Sequence, residues 1–138
     1  MRRAMPTAGL ICAFLICGAA SRGCTADNFA DPAAWEAFDA GNTGGLQAQG
    51  YFGAAFDGRY VYYAPCRTAV FHGVVLRYDT TGSFQAPGSW AAYDAGHTDG
   101  LRTVGYGGAV YQAPYVYFVP YHNGVSFSGI ALRYRLSR

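Results

Sequence analysis

Trp35-Glu-Ala-Phe-Asp-Ala-Gly-Asn-Thr-Gly-Gly-Leu46 is answered 55 residues later by Trp90-Ala-Ala-Tyr-Asp-Ala-Gly-His-Thr-Asp-Gly-Leu101. The match runs on through Gly50-Tyr51 against Gly105-Tyr106, and Tyr60-Val-Tyr-Tyr-Ala-Pro65 against Tyr115-Val-Tyr-Phe-Val-Pro120. Residues 35–70 and 90–125 share 17 identities in 36 positions. One inserted residue then shifts the offset to 56, so that Gly73-Val-Val-Leu-Arg-Tyr78 falls on Gly129-Ile-Ala-Leu-Arg-Tyr134. An internal repeat of this period fixes the kind of fold before any single residue is weighed.

Each unit reads as four short strands. Residues 51–56 form the first, followed by the hairpin signal Asp57-Gly58. Residues 60–65 are apolar on both faces and therefore central. Residues 73–79 put Val74, Leu76 and Tyr78 on one face and Val75 and Arg77 on the other. A loop with Gly82, Pro87 and Gly88 leads to the fourth strand, residues 90–94. Helical periodicity is absent after residue 40. Residues 31–38 could make one helical turn, but Pro87 and Gly88 in the twin at 86–93 argue against it. The second copy has Gln112-Ala113-Pro114 in place of Asp57-Gly58-Arg59, which removes the tight-turn chemistry, and Pro114 lacks a donor.

A four-stranded unit of about 50 residues in tandem suggests an all-β propeller blade. The stretches Phe56-Asp-Gly-Arg-Tyr-Val-Tyr-Tyr-Ala-Pro65, Val75-Leu-Arg-Tyr-Asp-Thr80 and Trp90-Ala-Ala-Tyr-Asp94 resemble a repeat of uncharacterised exported bacterial proteins. Those proteins carry Phe-Asp-Gly-Arg-Tyr-Val-Tyr-Phe-Val-Pro followed by Leu-Arg-Tyr-Asp-Thr. The Asp-Gly-Arg-Tyr stretch is also similar to blade strands of five-bladed glycosidases. The resemblance covers nearly all of residues 35–135 and implies blade-like sheets without implying an activity. Two blade equivalents are fewer than the usual four to eight. The expected outcomes are a ring by homo-oligomerisation, a two-sheet sandwich, or a truncated relic of a longer protein.

The N-terminus reads as export. Arg2 and Arg3 precede an unbroken apolar or small-residue run at 8–20, followed by Ser21. That is a secretory signal, too short for a span of about twenty apolar residues. The expected organisation is a signal peptide at 1–23, a linker at 24–34 and a two-repeat β domain at 35–138. Cleavage after Ala20 leaves Cys24 as an ordinary residue. Cleavage before Cys24 makes it a lipid-bearing N-terminus and the protein a membrane-anchored lipoprotein, although Ser21-Arg22-Gly23 is a poor lipobox. The location is otherwise secreted or periplasmic. An oxidising compartment would allow Cys24 and Cys66 to pair. Cys66 follows the second strand where the other copy has Tyr121, so it reads as a surface residue whose change to Ser costs under about 1 kcal/mol.

Composition narrows partners more than function. All ten basic residues are Arg. Residues 24–138 carry seven Arg against eight acids, net −1, with no basic patch for nucleic acid. Twelve Tyr supply much of the core, each ring burying about 150–250 Å².

Chemistry is sparse. His72, His97 and His122 show no metal-ligand spacing, and no metal or cofactor is expected. Glu36, Asp39 and Asp94 are the carboxylates a glycosidase would use. Asp39 and Asp94 are repeat equivalents, however, which favours a structural role. Ser83, Ser89, Ser126 and Ser128 lie in turns without a nucleophile motif.

Trp35, Asp39, Arg77, Trp90, Asp94 and Arg133 are therefore read as structural repeat residues, with Arg77 expected to pair with Asp94. Residues 35–39 are a spare fourth strand, expected to pair with residues 129–135, which lack one. Tyr60, Tyr62, Tyr115 and Tyr117 are expected in the core, and the loops 40–49 and 95–104 at contact surfaces. The functional expectation is an exported, non-enzymatic binding or interaction module with a glycan ligand. Its rivals are a glycosidase-like enzyme fragment and a relic without a ligand.

Overall fold

The computed structural model describes residues 29–137. The expected signal peptide and Cys24 lie outside the described residues. The chain divides into two units, residues 1–34 and 35–138. The described part of the first is a single 3-10 turn, Pro32–Ala34, in which the Asp31 carboxylate accepts the Ala33 amide and the Asp31 carbonyl accepts that of Ala34.

The second unit is all-β, with two antiparallel sheets. Strands β1 (Tyr51–Phe56), β2 (Tyr60–Pro65), β3 (Val74–Asp79) and β4 (Trp90–Asp94) form one sheet in chain order. Strands β5 (Tyr106–Gln112), β6 (Tyr115–Pro120) and β7 (Leu132–Arg135) form the other. β2 is central, as its apolar character on both faces requires. No helix among the described residues is long and apolar enough to cross a membrane.

Glycine sets the entry to each sheet. Gly50 and Gly105 have φ of +73° and +70°, in the region that favours glycine. A Cβ there would overlap the carbonyl oxygen of Arg67 or of His122. The close approach has a purpose: the Gly50 carbonyl accepts the amides of Cys66 and Arg67, and that of Gly105 accepts those of Tyr121 and His122. These clamps tie the start of the first strand of each sheet to the end of its central strand. Cys66 is held inside by its clamp and is only 1 % exposed, which corrects the surface reading.

The faces are used unequally. Tyr62 and Ala64 point from β2 into a core that also holds Ala55, Ala95, Tyr106, Val116, Phe118 and Leu132. The opposite face of the first sheet carries Tyr51, Tyr63, Val74, Leu76, Tyr78 and Trp90, packed with Phe38, Ala40, Leu46 and Ala48. In the second sheet the repeat counterparts of Tyr51, Tyr63 and Leu76 are Tyr106, Phe118 and Leu132, and these three face the first sheet. The stack is therefore head to tail, the second sheet laying this face on the opposite face of the first. The expected pair of sheets is thus present, but they pack through unlike faces, not as the like-faced pair of a pseudo-two-fold sandwich.

The hairpins diverge in chemistry and agree in shape. The Asp57 carboxylate accepts the amides of Arg59 and Tyr60, and Gly58 takes φ +99°. In the second copy Gln112 still pairs with Tyr115 across a two-residue turn, with a cis Ala113–Pro114 bond. The expected loss of a tight turn is thus corrected. Both Pro32–Ala34 and Pro87–Ser89 form one 3-10 turn, so proline at the start of the turn permits it. The repeat therefore reaches further back than Trp35: Phe29-Ala-Asp-Pro-Ala-Ala-Trp35 matches Phe84-Gln-Ala-Pro-Gly-Ser-Trp90.

Residues 35–39 form no strand and pair with no part of β7. They lie instead against the first sheet, with the Phe38 ring stacked on Trp90 and the Ala37 carbonyl accepting Gln85 Nε2. The reason is geometric: within one chain, Phe38 and β7 occupy opposite faces of the first sheet. β7 is also two residues shorter than β3, and Val74 and Val75 are the β3 residues held through β4 at Asp94 and Tyr93. Their counterparts, Ile130 and Ala131, have no fourth strand beside them among the described residues.

The buried tyrosine hydroxyls give opposing expectations. Tyr62 Oη donates to Asp57 Oδ2 at 3.2 Å, whereas Tyr106 Oη is buried without a partner among the described residues. Tyr62→Phe should lose about 1 kcal/mol in a denaturant titration, and Tyr106→Phe should lose nothing or gain. Burial pushes the Tyr106 hydroxyl up to about 12 from an ordinary value near 10. This raised value stabilises the fold below about pH 10 and the contribution is lost as pH rises toward about 12, so the wild type should lose more stability than Tyr106→Phe across that window.

Candidate functional site

The first two-thirds of the repeat positions a set of aromatic rings and guanidinium groups around one cleft. Tyr60 and Tyr62 alternate on β2, and Arg77 on β3 stands opposite Tyr62 in the ladder. Its diagonal neighbour is Tyr60, and the guanidinium carbon of Arg77 lies 4.3 Å from the centre of that ring. Arg59 contributes a second cation over Tyr60, at 4.8 Å. Such contacts hold a cation at a ring face without removing it from water. The same diagonal recurs as Arg133 over Tyr115, also at 4.3 Å.

The recurring arginine is thus explained by a ring, which corrects the expected Arg77–Asp94 ion pair. Arg77 faces Ala91 on β4, while Asp94 faces Val74, three positions along. Asp94 instead accepts the Gly96 amide through Oδ1 at 2.9 Å, and Asp39 accepts that of Gly41 at the same distance. Both carboxylates close the turn that opens a loop leading into a sheet. Thr43 and Thr98 then donate to the carbonyls of Ala40 and Ala95, so the loops at 40–49 and 95–104 are built alike. Asp39 and Asp94 each belong to their own loop, and no paired carboxylate arrangement joins them.

Two adjoining clefts share Tyr62, Arg77 and Tyr134. One, of about 470 Å³, runs between the sheets and is mostly apolar, lined by Val75, Ala91, Tyr93, Phe118 and Leu132 among others. The second, of about 530 Å³, opens at the hairpin end beside Asp57, Arg59 and Tyr60. At its rim Arg59 holds Asp79 through Nη2 at 2.7 Å and Nε at 3.2 Å. That bond, with a second from Thr81, keeps the Asp79 carboxyl well below the usual range. Tyr62 is pushed up by burial and then by the Asp57 carboxylate, so its hydroxyl stays a donor to Asp57. The second copy has exchanged both rim partners together, with Pro114 for Arg59 and Arg135 for Asp79.

The remaining candidates are scattered. His72 Nδ1 accepts the Val74 amide, a role Ser128 Oγ repeats toward Ile130. His122 Nδ1 accepts the Gly124 amide and its ring packs on Phe71 at 4.8 Å. Among the described residues no three His, Cys, Asp or Glu side chains converge as metal ligands. Trp90 is buried, while Trp35 is 60 % exposed. Of the expected core tyrosines Tyr62 is buried; Tyr60, Tyr115 and Tyr117 are half-buried. The Tyr/Arg cleft itself was missed from the sequence, although the recurring Tyr-x-Tyr and Leu-Arg-Tyr motifs contain its residues. No family model, curated protein or solved structure matches the chain.

Burial pushes the Cys66 thiol up, and it should be unreactive in the folded protein. A thiol reagent is expected to label Cys66 only after denaturation. Cys66→Ser should cost about 1–3 kcal/mol, because it buries a hydroxyl where a weakly polar thiol sat. Rapid labelling of Cys66 in native buffer would contradict the buried position.

Proposed function

We propose that the protein is an exported, non-enzymatic binding module of blade-like repeats, and that its contact surface is the Tyr/Arg cleft at the hairpin end. The observation that carries this reading is the cluster of Tyr60, Tyr62 and Tyr134 with Arg59, Arg77 and Asp57 around a partly open cavity of about 530 Å³. Ring faces provide apolar platforms, and the guanidinium and carboxylate groups at their edges supply donors and acceptors. A glycan presents that combination: flat C–H faces and a rim of hydroxyls. The sheets pack through unlike faces, which supports reading them as consecutive blades. Export rests on Arg2, Arg3 and the apolar run at 8–20.

The test is a glycan array with the secreted protein, followed by calorimetry on any hit. Tyr60→Ala and Arg77→Ala should each weaken binding by about tenfold or more, as expected for a loss exceeding 1.4 kcal/mol. Binding indifferent to both changes would remove the cleft from the function. Release of sugar from any array member would replace the binding module by an enzyme.

A further inference from the structure

In the first sheet an indole fills an aromatic cage. Trp90 stacks on Tyr78 at 4.6 Å and on Tyr63 at 6.2 Å, with Leu76 in the same core. Phe38 stacks on it at 5.4 Å with the rings only 15° from parallel. Phe84 closes the cage edge-on at 5.3 Å and its carbonyl accepts the indole N–H, and this residue comes from the same segment as the tryptophan. The repeat supplies a counterpart for the four other walls: Tyr134 for Tyr78, Phe118 for Tyr63, Leu132 for Leu76 and Tyr93 for Phe38. All four line the apolar cleft of about 470 Å³ between the sheets. The indole itself has no counterpart there among the described residues, because the second sheet stops at its third strand.

We infer that this cleft receives Trp35 of a second copy of the chain, carried by residues 35–39 as the fourth strand along β7. The donor has the required sequence, since Trp35-Glu-Ala-Phe-Asp39 repeats the β4 sequence Trp90-Ala-Ala-Tyr-Asp94. It is also already placed. Phe38 and the loop at 40–50 sit on the outer face of their own sheet as Tyr93 and the loop at 95–105 sit by the second sheet. Only a pairing strand on the other side is missing.

The β3–β4 register, in which Tyr78 faces Trp90 and Leu76 faces Ala92, fixes the details. Transposed, it sets Trp35 opposite Tyr134, Ala37 opposite Leu132, and Glu36 opposite Arg133. The corresponding pair inside the first sheet is Ala91 and Arg77, so the carboxylate occurs only where two copies would meet. Opposite charges directly across an antiparallel pair favour that pairing. It also covers the outer edge of β7, which otherwise presents unpaired amides and carbonyls.

One chain cannot satisfy its own cleft, since its donor and its acceptor lie on opposite faces of the first sheet. The contact is therefore heterologous, and it closes into a ring when the rotation from sheet to sheet divides a full turn, as between propeller blades. The described residues of each copy contribute two sheets, so rings of four to eight such sheets need two to four copies.

Light scattering on the secreted protein should give a mass of two to four copies, and tryptophan emission should shift to the blue as concentration drives assembly. Trp35→Ala should weaken assembly by about tenfold or more. Should that variant lose its folded circular-dichroism spectrum, Glu36→Arg provides the independent readout. Glu36→Arg alone should weaken assembly, and the double variant Glu36→Arg, Arg133→Glu should restore it. A wild type that stays monomeric over its soluble range overturns the proposal, even if glycan binding persists. An oligomer indifferent to Trp35→Ala and to the charge exchange also overturns it and assigns the interface elsewhere. Loss of glycan binding with assembly intact leaves this inference standing and removes the reading above.

Discussion

The dependence of the fold on unlike faces begins with the buried ring of Trp90. Its stack with Phe38, Tyr63 and Tyr78 makes one face of the first sheet a broad aromatic surface. The opposite face places the small side chains of Ala55 and Ala64 beside Tyr62, and these pack with Tyr106, Val116, Phe118 and Leu132 of the next sheet. A sheet of this kind has no reason to pair with itself face to face, because large would meet large. The direction of stacking is thereby set by side-chain volume. Everything downstream follows from that direction: the position of the clefts, the separation of residues 35–39 from β7, and the exposure of Val110 and Val119 on the last face.

Backbone constraint supports the same order. At Gly50 and Gly105 one carbonyl accepts two amides from the end of the central strand. That junction links a loop to the sheet it enters, and only a residue without a side chain fits so close to the facing carbonyl. The loops that lead there are equally specified, by Asp39 or Asp94 at the opening and Thr43 or Thr98 in the turn. Recurrence in this chain thus marks the joints and the ring–guanidinium contacts, and the hairpin rim is where the copies vary. Arg59 and Asp79 in the first copy, against Pro114 and Arg135 in the second, are the clearest case.

Strand positions were legible in the sequence because the repeat and the turn residues agree on them. The first, second and fourth strands fall on Tyr51–Phe56, Tyr60–Pro65 and Trp90–Asp94. Partners were less legible. Arg77 and Asp94 lie on neighbouring strands, but a ladder also has a register, and three positions along it place the two groups at different ends. Cys66 read as a loop residue since it follows a strand; the Gly50 clamp that buries it acts between residues sixteen apart. Residues 35–39 carry the sequence of a strand without a strand beside them, and a strand requires that neighbour for its hydrogen bonds. The cleft was hidden for the same reason, since its walls come from both copies of the repeat.

The unlike faces have a consequence for how such a chain can lengthen. Every new 55-residue unit inserted between existing ones would meet the interface already present on each side. No new complementary surface has to arise, and the junction glycine and its loop arrive within the inserted unit. Duplication of the gene segment is then close to neutral for folding, as in other tandem arrays whose units touch only their neighbours. Growth by copying is easy for this architecture, whereas reversal of a single unit would bring two aromatic faces into collision.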